Sequence, residues 1–114
     1  TKVIMPDPFG SIYYDQFYNG GAIAKNIKPY KVEGPGNHFS CCSMNLSYID
    51  KIIQFKDEDA FNGCRNLSRR HGILAGSSSG ANYYVAELLM LSLNPKIPVN
   101  ILILLPDSGM KYLL

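Results

Sequence analysis

Apolar positions along the chain form two alternating kinds of segment. Residues 2–5, 49–55, 73–75 and 99–105 are short apolar runs, the pattern of strands. Between them, apolar residues recur at three- and four-residue spacing, the pattern of helices. Tyr13, Tyr14, Phe17 and Tyr18 make one such stripe, which reads as core; Ser11 is placed to cap it and Asn19-Gly20-Gly21 to end it. Phe61, Cys64 and Leu67 make a second. Asp57-Glu58-Asp59 opens that helix and Arg69-Arg70-His71 closes it, each complementing the helix dipole, and Gly72 is the stop. Ala81, Val85, Leu88 and Leu89 make a third, which ends before Asn94-Pro95. Residues 22–29 read as loop, and Tyr30-Lys31-Val32-Glu33 as a short strand. The run 99–105 is almost uninterrupted aliphatic, as expected of a strand covered on both faces of a parallel sheet. The alternation predicts the α/β class: one unit over residues 1–114, a three-layer, mostly parallel sheet flanked by helices. A strand that begins almost at Thr1 predicts polypeptide ahead of it.

Composition narrows this picture. With 114 residues, 46% hydrophobic and 18% charged, the chain is globular and has enough apolar side chains for a modest core. A net charge of +2, with basic residues scattered, gives no footprint for nucleic acid. The three cysteines, Cys41, Cys42 and Cys64, lack the paired spacing of a zinc site, so no metal is expected. Their odd number fits free thiols in a reducing, cytoplasmic compartment. The longest apolar stretches, 85–93 and 99–105, are too short to span a bilayer, so no membrane partner is expected.

The candidate chemistry centres on Gly76-Ser77-Ser78-Ser79-Gly80, between the run 73–75 and the third helix. Free backbone N–H groups and a small hydroxyl at the positive end of a helix suit an anion or the acceptor atom of a cofactor ring. Pro106-Asp107-Ser108 follows the run 99–105, and both turns fall at strand carboxyl ends, where ligands of α/β sheets sit. Gly34-Pro35-Gly36-Asn37-His38 is a tight turn whose glycines allow close approach to a ligand, or a plain surface loop. The serine turn also fits the nucleophile elbow of an α/β-hydrolase, with Ser78 as nucleophile and Asp107 as acid. That scheme needs a histidine after the acid, and His38 and His71 both precede it. A phosphate-binding P-loop would need a lysine near the turn, and there is none.

Four motifs occur together and in order. They are Asp7-Pro8-Phe9-Gly10-Ser11, the stretch from Tyr30 through Gly36, the serine turn, and Pro106-Asp107-Ser108-Gly109 with Tyr112. In this the chain resembles the carboxyl-terminal part of the catalytic core of the cystathionine β-synthase and cysteine synthase family. These are pyridoxal-phosphate enzymes of the tryptophan-synthase-β type. The first and last motifs look more like cystathionine β-synthase. The resemblance implies a β-replacement that forms cystathionine or cysteine from serine or an activated serine, with pyridoxal 5'-phosphate as cofactor, in a homodimer. It places Ser78 on the cofactor ring nitrogen, Gly76, Pro106 and Asp107 beside the ring, and Gly34 and Gly36 on the amino-acid substrate side. The sequence departs from the family at Pro35, usually Ile, at Ser77, usually Gly or Ile, and at Asn37-His38, commonly Tyr-Asp. The last departure bears on the choice of thiol substrate. The family's Schiff-base lysine and phosphate loop lie in an amino-terminal region, and none of the eight lysines here sits in that lysine's motif. No catalytic residue is therefore assigned, and the chain reads as an inactive piece that needs the amino-terminal part of the enzyme as partner. The competing expectation is a non-catalytic α/β module or gene remnant.

Overall fold

A computed structural model of the chain describes residues 1–20 and 26–113. Among them run β1 (Ile4–Pro8), α1 (Tyr13–Tyr18), a 3₁₀ turn (Leu46–Tyr48), β2 (Lys51–Phe55), α2 (Asp57–His71), α3 (Ser77–Ser92) and a second 3₁₀ turn (Gly109–Tyr112). The chain divides into two compact units, Thr1–Asp57 and Glu58–Leu114. The class is α/β with a parallel sheet, as the alternation predicts, and two strands of that sheet lie among the described residues.

In the first unit β1 and β2 pair in parallel, Ile4 opposite Lys51 and Pro8 opposite Phe55. The expected strand stops at Pro6, whereas β1 runs through Pro6 and Pro8. Hydrogen-bonding parity explains the difference. The odd-numbered neighbours face β2: Val3 O accepts from Asp50 N at 2.9 Å, and Phe9 N donates to Phe55 O at 3.0 Å. Both prolines fall on the other parity, where a missing N–H costs the ladder nothing. At Ile52 the edge of β2 is closed by the Tyr18 hydroxyl, which meets both the N and the O of Ile52 at 3.2 Å. The aromatic stripe is core in part. Tyr13 is buried with Ile12 and Ile52, Tyr14 and Phe17 pack against them, and Tyr18 stays about half exposed.

Ser11 is not the cap of α1. Ile12 holds that position without a side-chain bond, and the Asp7 carboxylate takes the free Tyr14 N–H at 2.9 Å. Gly21 and residues 22–25 of the expected loop lie outside the described residues. The expected strand at residues 30–33 is absent. The amides of Lys31 and Val32 donate to the Asp57 carboxylate at 3.0–3.2 Å, so no strand partner is needed.

Asp7 is fully buried, and its Oδ1 has no hydrogen-bond partner. Burial pushes its carboxyl above the ordinary range, against the lowering effect of bonds from Ser11 and Tyr14. The folded chain thus holds this proton more tightly than the unfolded chain does. The stability so contributed is complete in acid and is lost as pH rises from the unfolded value, 3.8, through the folded one. Asp7→Asn keeps an acceptor for Tyr14 N and removes the titration. Its unfolding free energy should fall less than that of the parent as pH rises above 4, as read from urea titrations at several pH values. A steeper fall in the variant would contradict this account.

In the second unit α2 and α3 pack backbone to backbone. A Cβ at Gly80 would strike the Ala60 carbonyl and the Cys64 thiol, and one at Gly63 would strike the Gly80 carbonyl. The buried face of α2 is Ala60, Gly63 and Leu67, rather than Phe61, Cys64 and Leu67. Arg70 pairs with Glu87 at 3.0 Å, and His71 Nε2 lies 3.2 Å from the buried Tyr83 hydroxyl. Of the inward set expected on α3, Ala81 and Val85 are buried and Leu88 is exposed.

The two later runs are not strands. Residues 73–75 contribute a single antiparallel bridge, Ala75 with Ser108. In the run 99–105, Ile103 packs on Leu67, Ala75 and Tyr83, while Leu102 is 92% and Leu104 71% exposed. One face is covered by the chain's own core, and the other meets no neighbouring strand among the described residues. No described helix is long and apolar enough to cross a membrane.

Candidate cofactor site

The serine turn starts α3. Gly76 is the N-cap in extended backbone, and Gly80 N makes the first helical bond, to Gly76 O at 3.1 Å. The amides of Ser77, Ser78 and Ser79 are therefore first-turn donors without an intrahelical acceptor. The Ser77 and Ser79 hydroxyls are buried and unpartnered. Ser78, between them, is half-buried and donates to Asp107 Oδ1 at 3.5 Å, a loose bond. Asp107 Oδ2 accepts from the Tyr112 hydroxyl at 3.0 Å.

Backbone bonds fix this corner. Gly76 N donates to Asp107 O at 3.1 Å, and Gly109 N donates to Leu74 O at 3.1 Å. Ser108 Oγ caps the following turn by accepting from Met110 N at 3.2 Å. Any Cβ on Gly76 would fall on the Asp107 carboxylate, so glycine lets the two segments meet. The Cys64 thiol donates to Gly76 O at 3.1 Å, and burial raises its pKa.

Gly76, Ser78 and Asp107 are thus brought together, with exposed Pro106 adjoining Asp107. Gly34 and Gly36 belong to the unit Thr1–Asp57, both with positive φ, +101° and +78°. Cys64 and the Gly63–Gly80 approach escape sequence reasoning, although an isolated glycine inside a helical pattern was the available signal. For the hydrolase scheme Ser78 has a carboxylate where a nucleophile needs an imidazole base, and His71 is engaged with Tyr83. Among the described residues no cluster of three or more metal-ligating side chains forms. The corner can present a hydroxyl, backbone donors and the positive end of α3 to an acceptor atom or an anion.

The cysteine synthase of Buchnera aphidicola subsp. Schizaphis graminum is 37% identical over 109 residues, covering 94% of this chain and 32% of the relative. The O-acetylserine dependent cystathionine beta-synthase of Bacillus subtilis is 34% identical over 113 residues, covering 99% of this chain and 33% of the relative. Among solved structures, O-ureido-L-serine synthase superposes with a TM-score of 0.80 at 26% identity, over 99% of this chain and 33% of that one. Cysteine synthase from Entamoeba histolytica gives 0.78 at 28% identity, over 98% of this chain and 30% of that one. The chain spans about a third of the length of the curated relatives it matches. Residues 1–107 match the family described as pyridoxal-phosphate dependent enzyme, and the chain belongs to that family.

Proposed function

We propose that the chain is the carboxyl-terminal part of a β-replacement enzyme that forms cysteine or cystathionine from serine or an activated serine. The observation that carries this reading is the Ser78 corner: a hydroxyl on the first turn of α3, flanked by two buried, unpartnered hydroxyls. The residues fit a flat heteroaromatic ring. Ser78 would hold its ring nitrogen, Gly76 would allow close approach, and Pro106 and Asp107 would line the ring. The positive end of α3 disfavours a cationic nitrogen there, so Ser78 serves as donor to a neutral one. Its 3.5 Å bond to Asp107 is weak enough to exchange for that partner, and Tyr112 keeps hold of the carboxylate. Pyridoxal phosphate, when bound, supplies the electron sink for losing and replacing a β-substituent. Gly34 and Gly36 carry the amino-acid side.

The Schiff-base lysine and the phosphate cradle belong, on this reading, to polypeptide outside these 114 residues. The exposed aliphatic face at Leu102 and Leu104 supports further polypeptide packing on this chain. The free cysteines support a cytoplasmic setting, and family resemblance supports a homodimer.

The test mixes the chain with pyridoxal phosphate, alone and with the lysine-bearing amino-terminal two-thirds of a cysteine synthase. Alone, no borohydride-trappable adduct should form at a single lysine. With the complement, cofactor should be retained, and Ser78→Ala should weaken retention about tenfold. A stoichiometric adduct at one lysine of the isolated chain, or indifference to Ser78→Ala, would overturn the reading.

A further inference from the structure

The Asp7-Pro8-Phe9-Gly10-Ser11 motif lies in the unit Thr1–Asp57. Three of its positions, Pro8, Gly10 and Ser11, each meet a different point of residues 28–37 of the same unit. Lys28 N donates to Gly10 O at 3.2 Å, and a Cβ at Gly10 would strike the Lys28 carbonyl. A Cβ at Gly36 would strike the Pro8 ring and the Tyr30 hydroxyl, so Gly36 lies directly on Pro8. Asn37 is held on both sides of its backbone. Its N–H donates to Ser11 Oγ at 3.1 Å, and its carbonyl accepts from Ile12 N at 2.9 Å.

Ser11 is the joint of this arrangement. It is 5% exposed, so water does not replace a lost bond. Its oxygen accepts from Asn37 N and, at 3.4 Å, from Tyr13 N, which occupies both lone pairs. A loop with two positive-φ glycines has little order of its own, whereas a substrate loop must hold its backbone within about 0.5 Å.

We infer that Pro8, Gly10 and Ser11 form the bed that positions residues 34–37, with Ser11 as the positioning residue that anchors Asn37. The functional weight of this rests on reading Gly34 and Gly36 as the amino-acid side of the site. The test therefore reads the loop directly.

Amide hydrogen exchange is measured by NMR on the 114-residue chain, its Ser11→Ala and Ser11→Thr variants, and Ile52→Val as a core control. In the parent, Asn37 should exchange at least about tenfold more slowly than Gly34 and Gly36. Ser11→Ala should abolish that difference while the β1–β2 amides stay protected, and Ser11→Thr, which keeps the hydroxyl, should restore it. Ile52→Val should leave the difference in place. An unprotected Asn37 in the parent overturns the inference, and this holds even if Ser11→Ala does not fold. Equal protection of Asn37 in parent and Ser11→Ala overturns it too, as does loosening that spreads evenly over the unit. A clamped loop in a chain that fails the cofactor test would overturn the functional reading and leave the positioning role standing.

Discussion

Gly80→Ala is expected to destabilise the chain by about 2–3 kcal/mol, read as a loss of unfolding free energy in urea monitored by circular dichroism. The sign is the informative part. Alanine in a helix is favoured over glycine by about 1 kcal/mol, so propensity alone predicts a gain. Here the added methyl has no room, because it meets the Ala60 carbonyl, the Cys64 thiol and the Cys64 amide. Two of these three are backbone, which cannot rotate aside. Relief requires α2 and α3 to separate, and separation strains the Cys64 bond to Gly76 O that helps set the serine turn. Gly63→Ala strikes the same contact from the other helix. The double variant should therefore lose clearly less than the sum of the two singles, since one separation relieves both clashes. A stabilised Gly80→Ala chain would show that α2 and α3 do not touch through backbone.

Gly36→Ala is expected to destabilise the unit Thr1–Asp57 by about 2 kcal/mol or more. Two costs add. A φ of +78° disfavours any side chain by about 1–2 kcal/mol, and the new methyl also lands on the Pro8 ring and the Tyr30 hydroxyl. Gly20 separates the two costs. Its φ is +63°, and nothing lies within 4 Å of the position a Cβ would take. Gly20→Ala should thus show the conformational cost alone, about 1 kcal/mol. Equal losses in the two variants, measured by thermal unfolding, would mean that Gly36 does not rest on Pro8.

Much of the local architecture was readable beforehand, for identifiable reasons. Asp57-Glu58-Asp59 and Gly72 bracket α2 because helix ends have their own chemistry, independent of what the helix packs against. The serine turn opens α3 for the same reason, and β2 forms within its apolar run. In the structure Gly76 and Ser78 lie against Asp107. The aliphatic run 99–105 was misread because hydrophobicity records a demand for cover, not the identity of what meets it. Residues 30–33 were misread because a side chain distant in sequence, Asp57, took the amides that a strand partner would have used.

The sequence by itself determined where α2 and α3 begin, where α2 ends and the α/β class, because each of these is written in spacing and in end-group chemistry; its four motifs carried the resemblance to the family. Only the tertiary structure decided that prolines sit within β1, that Asp7 is buried with one oxygen unpartnered, that Ser11 anchors Asn37 rather than capping a helix, and that Gly63 meets Gly80. All four depend on which backbone atoms come within van der Waals or hydrogen-bond reach across the fold, and one-dimensional spacing carries no record of that.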